Sequence, residues 1–256
     1  KCEVAYPDNC HKQNAVSIPS NASCSSYYSD CSSKCSAWTC NSGYEKSGNS
    51  CIEAVRVGSI LYGDGTIADS LVTGKTPIGI VFDTANRLAV ALTDINSSGS
   101  AGSTRMYWST SHYDISALGN CYSGNLTTCE VDGRANTTAI LNCGSSCGST
   151  PAATATNSYE PSGCSKDFCK KTKWFLPSMR DLITLYSGKN YVNASLSLTS
   201  SSGAKTLTES DYYWSSTEDA TNSAWRSEMR YGYKNPGLKG AKYEYDYSYV
   251  RPVLAF

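Results

Sequence analysis

The sequence predicts an α+β protein: strands, then two helices, then strands again, preceded by a small disulfide-rich module. Three observations carry this reading. Cysteines crowd a first segment that has few aliphatic residues. Paired apolar runs of hairpin type begin at Val55, and a helix-capping signature sits at Ser178.

Residues 1–54 are rich in Cys, Ser and Asn and end in "CSAWTCNSGYEKSGNSC", where Gly43-Tyr44 and Gly48-Asn49 read as turns. Such a stretch buries little apolar surface, so disulfides must stand in for a core. It resembles the small EGF-like modules of extracellular proteins. From Val55 the chemistry changes, which sets the expected boundary between a 1–54 module and a 55–256 domain. "VRVGSILYGDGTI" reads as strand, Asp-Gly turn and strand. "PIGIVFDTANRLAVALTD" is a hairpin of two apolar runs around Thr84–Arg87. "GRANTTAIL" opens a first helix with Asn136 as its cap. "WFLPSMRDLITLY" gives a second, with Pro177 near its first turn, Ser178 and Asp181 at capping-box spacing, and Leu182, Ile183 and Leu185 as its apolar face. After the Ser-rich 195–203, the pattern to Phe256 is strands and turns.

The 256 residues carry 22 basic and 22 acidic side chains, so no net field favours nucleic acid or an anionic membrane. No apolar run approaches the roughly 18 residues of a membrane span. No signal peptide is visible, and the abrupt start at Lys1 reads as that of a processed or trimmed chain. Seven of the thirteen cysteines lie in 2–51 and six in 121–169, with only two histidines and no C-x-x-C pair. Disulfides formed in an oxidising compartment fit that pattern better than metal ligation. Spacing predicts local pairs Cys121–Cys129, Cys143–Cys147 and Cys164–Cys169, and Cys2 is the candidate for the odd thiol. Five Asn-x-Ser/Thr sites (Asn21, Asn96, Asn125, Asn136, Asn193) matter only in a eukaryotic secretory pathway.

Catalytic motifs fail on inspection. "TGKTP" at 73–77 has the Gly-Lys-Thr of a phosphate loop, but Asp69 stands where a glycine is needed and Pro77 disfavours the following helix. His112 with Asp114 and the nearby serines lacks a nucleophile elbow, and "STSHYDIS" reads as a polar loop. Glu209, Asp211, Glu218 and Asp219 read as surface acids. The expectation is a protein that is not an enzyme and uses no cofactor or metal.

The C-terminal third, "YYWSSTEDATNSAWRSEMRYGY…VRPVLAF", combines with "WFLPSMRDL" and "GKTPIGIVF…AVAL" into a recognisable set. Over 55–256 the chain resembles bacterial proteins with a C-type-lectin-like fold. The nearest are the variable proteins diversified by retroelements, together with related surface adhesin domains. The resemblance implies a ligand site between Ala224-Trp225 and Val250–Val253, built on an inward scaffold of Trp214, Trp225 and Met229. It places Arg226, Glu228, Arg230, Tyr231, Tyr233, Tyr243, Tyr245 and Tyr247 in that site, with Tyr213 counted to the same surface at about 212–249. Tyr231, Tyr233, Asn235, Tyr243, Tyr245, Asp246 and Tyr247 are residue types that adenine-randomised codons yield, whereas Glu228, Lys234, Lys242 and Glu244 are not. Neither the Glu-Pro-Asn or Gln-Pro-Asp and Trp-Asn-Asp of calcium-dependent lectins nor the late cysteines of formylglycine-generating enzymes are present.

Residue pattern points the same way. In "AWRSEMRYGY" Trp225, Ser227 and Met229 share one strand face, and Arg226, Glu228 and Arg230 the other. In "KYEYDYSYV" tyrosines occupy every second position, backed by Glu244, Asp246, Ser248 and Val250. Tyrosine gives rigid amphipathic contact at low entropy cost, which suits a binding surface. The competing reading packs these phenols under a loop or against the cysteine-rich module, with Tyr249 the most structural of them. The expected function is a secreted or cell-surface binding protein for a protein or glycan partner. The alternative is a fixed-specificity adhesin of the same fold.

Overall fold

The computed structural model describes residues 14–29, 31–41, 43–240 and 247–256. Contacts divide the chain into two units, one ending at Ala54 and one spanning Val55–Phe256. The first pairs β1 (Ala22–Tyr28) with β2 (Cys31–Cys40), and β3 (Tyr44–Ser47) with β4 (Ser50–Glu53), both antiparallel. Its bridges are Cys24–Cys35 and Cys40–Cys51. Among its described residues only Cys35 and Cys51 are buried, so the disulfides themselves are the core. Cys2 lies outside the described residues.

The second unit begins with β5 (Ile60–Tyr62), β6 (Ile67–Ala68), β7 (Pro77–Asp83) and β8 (Leu88–Ala91). The Asp-Gly turn joins β5 to β6, and Asp83 braces the β7–β8 turn by accepting from Asn86 N at 3.0 Å and Asn86 Nδ2 at 2.7 Å. Next come α1 (Gly133–Asn142), α2 (Pro151–Ser158), β9 (Trp174–Phe175), α3 (Met179–Ser187) and α4 (Lys189–Leu198). The chain closes with β10 (Tyr212–Ala220), β11 (Ser223–Glu228), β12 (Lys234–Leu238) and β13 (Val253–Ala255). One sheet runs β6-β5-β7-β8-β13-β9 and a second β10-β11-β12, every ladder antiparallel.

Strand parity divides the core. Leu61, Ala89, Ala91 and Leu254 enter one apolar cluster with Ile140, Ala152, Ala153 and the indoles of Trp108, Trp174 and Trp214. Ile60, Tyr62, Val90 and Val253 enter another with Leu182, Leu185, Val192 and Leu196. The larger sheet is therefore covered by helices on both faces. Local pairs Cys121–Cys129, Cys143–Cys147 and Cys164–Cys169 form as spacing predicts.

Two expectations about helices are corrected. The described residues hold four α-helices, not two. In α4, "KNYVNASLSL", the Ser- and Asn-rich sequence is weakly helical, and burial of Val192 and Leu196 at i, i+4 decides it. Asn136 is not the cap of α1. Asp132 is, accepting from Arg134 N and Ala135 N, while Asn136 lies inside and donates to Glu130 O at 2.7 Å. The capping box of α3 stands as read, Ser178 with Asp181.

Candidate functional site

β10 and β11 form the frame. Both lie between the two apolar clusters: Tyr213, Trp225 and Met229 belong to one, Trp214 and Ala224 to the other. Three indole N–H groups fix it to the preceding long loop. Trp108 donates to Ser215 O at 2.7 Å, Trp214 to Met106 O at 2.8 Å, and Trp225 to Cys121 O at 2.7 Å. Trp214, Trp225 and Met229 are thus inward, as expected.

Coverage on both faces overturns the expected exposure of Tyr213, Arg226 and Glu228. The Tyr213 hydroxyl donates to Asp94 Oδ1 at 3.0 Å and accepts from Thr208 N at 2.8 Å. Burial pushes its phenol far above the ordinary value, and the Asp94 charge adds to this. Arg226 is only 8% exposed. Its guanidinium lies 4.6 Å from the centre of the Tyr212 ring and 5.6 Å from that of Trp214, and Nη1 donates to Ser248 Oγ at 3.2 Å. A methyl group on Gly237 would meet the Trp214 ring at 2.6 Å and Arg226 Nε at 2.8 Å, so this glycine keeps the stack closed. Ser248 and Val250, expected on an acidic outer face, are buried.

Glu228, 7% exposed, closes a turn instead of facing a ligand. Its carboxylate accepts from Tyr231 N at 2.8 Å, and its own amide donates to Tyr233 O at 2.9 Å. From below, Lys189 Nζ donates to Met229 O at 2.6 Å and Arg230 O at 2.8 Å. Gly232 sits at φ 73°, and a Cβ there would strike the Tyr186 ring at 2.6 Å, so the position needs glycine twice over. The fixed turn leaves Arg230 exposed and Tyr231 and Tyr233 58% and 62% exposed. Their ring centres are 5.6 Å apart, and the Arg230 guanidinium stands 5.0 Å from that of Tyr231.

Tyr243 and Tyr245 lie outside the described residues. Tyr247 is half-buried, its ring 4.0 Å from that of Tyr107 with the two hydroxyls hydrogen-bonded. Tyr249 packs with the core beside Tyr213. Glu218 is not a surface acid: it is fully buried and paired with a fully buried Lys239. Burial pushes the carboxyl up and the ammonium down, while their mutual attraction opposes both shifts. Strand alternation gave no signal for it, because β10 is buried on both faces and its ladder shifts register between Trp214 and Glu218. His112 is exposed, with Nε2 3.1 Å from Gly240 O. Among the described residues no helix is long and apolar enough to cross a membrane.

Five disulfide bridges among the described residues suit an oxidising, extracellular or cell-surface setting. No family model and no curated protein matches the chain. Among solved structures it is similar to a fimbrial protein from Bacteroides ovatus, at 17% identity and a TM-score of 0.56. The match covers 84% of this chain and 51% of that one, so the chain spans about half the length of its neighbour. At this identity the likeness is one of fold.

Proposed function

We propose that this is a secreted or cell-surface binding protein of C-type-lectin-like fold whose ligand-contacting centre is the turn Arg230–Tyr233. The observation carrying the proposal is the contrast between a rigid frame and what it displays. Two large amphipathic rings and a guanidinium are held in solvent by a turn whose backbone is fixed by Lys189, Glu228 and Gly232. Preorganised aromatic contacts lose little entropy on binding. Two tyrosines can bury roughly 300–500 Å² between them. A standard interface takes ~800 Å² per partner, so the turn is a centre to which neighbouring residues add. The reading is of binding without catalysis. Its support is that the buried acids are each held in structural contacts: Asp94 and Glu218 by a cation, Asp181 by a helix cap, and Asp83 and Glu228 by a turn.

A second reading, an adhesin of fixed specificity, draws on the fimbrial fold likeness. A reverse transcriptase gene beside a near-copy of the segment encoding 210–256, differing at adenines, would select the diversified form. The binding surface itself is tested by screening the protein on glycan and matrix-protein arrays beside a variant carrying Arg230→Ser, Tyr231→Ser and Tyr233→Ser. The variant should melt with the parent and lose the parent's hits. Unchanged hits would move the surface elsewhere.

A further inference from the structure

We propose that Lys239 and Glu218 condense into an amide cross-link that ties β10 to the residue following β12. Both side chains are fully buried, and Nζ is in contact with Oε1. The amine is aimed by Tyr113 O at 2.9 Å and Thr221 O at 3.2 Å, and it stands 5.0 Å from the centre of the Trp108 ring. The Ile115 N–H addresses both carboxyl oxygens at 3.3 Å. Nucleophile and electrophile are therefore held together, where oriented groups reach effective concentrations of ~10⁵–10⁸ M.

Burial also disfavours both charges, raising the carboxyl pKa and lowering that of the ammonium. One proton passed along their hydrogen bond gives the neutral acid and amine that react. Asp114 is a neighbouring carboxylate whose charge acts on both groups. The Ile115 amide is the donor placed to take up charge on the tetrahedral oxygen.

The reaction needs no co-reactant. The Nζ–Cδ bond forms, one Cδ–O bond breaks, and two of the three ammonium protons leave with that oxygen as water. The third stays on the amide nitrogen. Two desolvated charges become one neutral group whose partners are already in place: Ile115 N–H for its oxygen, and Tyr113 O or Thr221 O for its N–H. Removing a buried ion pair in favour of a satisfied neutral group is favourable where desolvation is costly.

Mass spectrometry of the full chain after disulfide reduction tests this. The expected mass is one water below that of the sequence. Trypsin should fail to cut after Lys239 and release a branched peptide joining residues 206–226 to 235–242. An unshifted mass with separate linear peptides 206–226 and 235–239 would overturn the proposal. So would a missing water that persists in Lys239→Met, since the loss would then lie elsewhere.

Discussion

Arg251 Nη1 donates to Asp94 Oδ1 at 2.9 Å, and the Tyr213 hydroxyl donates to the same oxygen at 3.0 Å, all three side chains out of solvent. Three more of its guanidinium donors are also used. Nε reaches Ala91 O at 2.8 Å, and Nη2 reaches Leu92 O at 2.7 Å and Lys205 O at 2.6 Å. The Val-Arg-Pro-Val element is therefore a bolt joining β8, the segment before β10, and β13.

Arg251→Met would leave Asp94 with a buried, uncompensated charge, which costs about 3–5 kcal/mol. Arg251→Lys should also destabilise, because an ammonium cannot reproduce the planar fork. Urea denaturation monitored by tryptophan fluorescence measures both. A loss below ~1 kcal/mol for Met would mean that the pair contributes little.

Tyr213→Phe removes a bond to Asp94 and leaves Thr208 N without its acceptor, so ~1–3 kcal/mol should be lost. Tyr231→Ser and Tyr233→Ser, both exposed, should each stay within ~0.5 kcal/mol. Thermal melts of the three variants separate the covered phenol from the displayed ones.

Gly232→Ala meets both a left-handed backbone and the Tyr186 ring, strain of ~1–3 kcal/mol. The turn should yield before the frame does. Hydrogen exchange at the Tyr231 amide, now bonded to Glu228, should speed up more than exchange in β11.

Burial raises the Tyr159 phenol to about 12 from an ordinary value near 10. A phenol held neutral in the fold contributes fully below about pH 10, and its contribution is lost as pH rises through about 12, on the order of 3 kcal/mol. Stability should therefore fall across that window. In Tyr159→Phe the fall should be shallower, as chemical denaturation at successive alkaline pH values would show.

A chain of Val55–Phe256 alone should fold, since its two apolar clusters are drawn from within that unit. Circular dichroism and a cooperative melt report this. A disordered spectrum would show that the cysteine-rich segment is needed.

What was legible in the sequence was local. The Ser178–Asp181 box, the hairpin around Asp83–Asn86 and the three short disulfide loops depend on residues a few positions apart. Exposure was not legible. Alternation in "AWRSEM" sorts Trp225 from Arg226 but cannot say that a second cluster covers the other side, so Arg226 and Glu228 look solvent-facing in the sequence alone. Tyr213 looks exposed for the same reason. α2 carried a readable start at Thr150-Pro151, but its small residues gave no apolar stripe. The turn's supports, Tyr186 and Lys189, are about forty residues upstream of it, and no sequence spacing connects them.

Because Lys189 and Glu228 hold the turn through its backbone, the side chains of Arg230, Tyr231 and Tyr233 are spectators to its conformation. Drift at those three positions would alter what the protein recognises while leaving its shape unchanged. Drift at Tyr186, Lys189, Glu228 or Gly232 would be purged as misfolding. The molecule separates the residues free to follow a changing partner from those obliged to stay still.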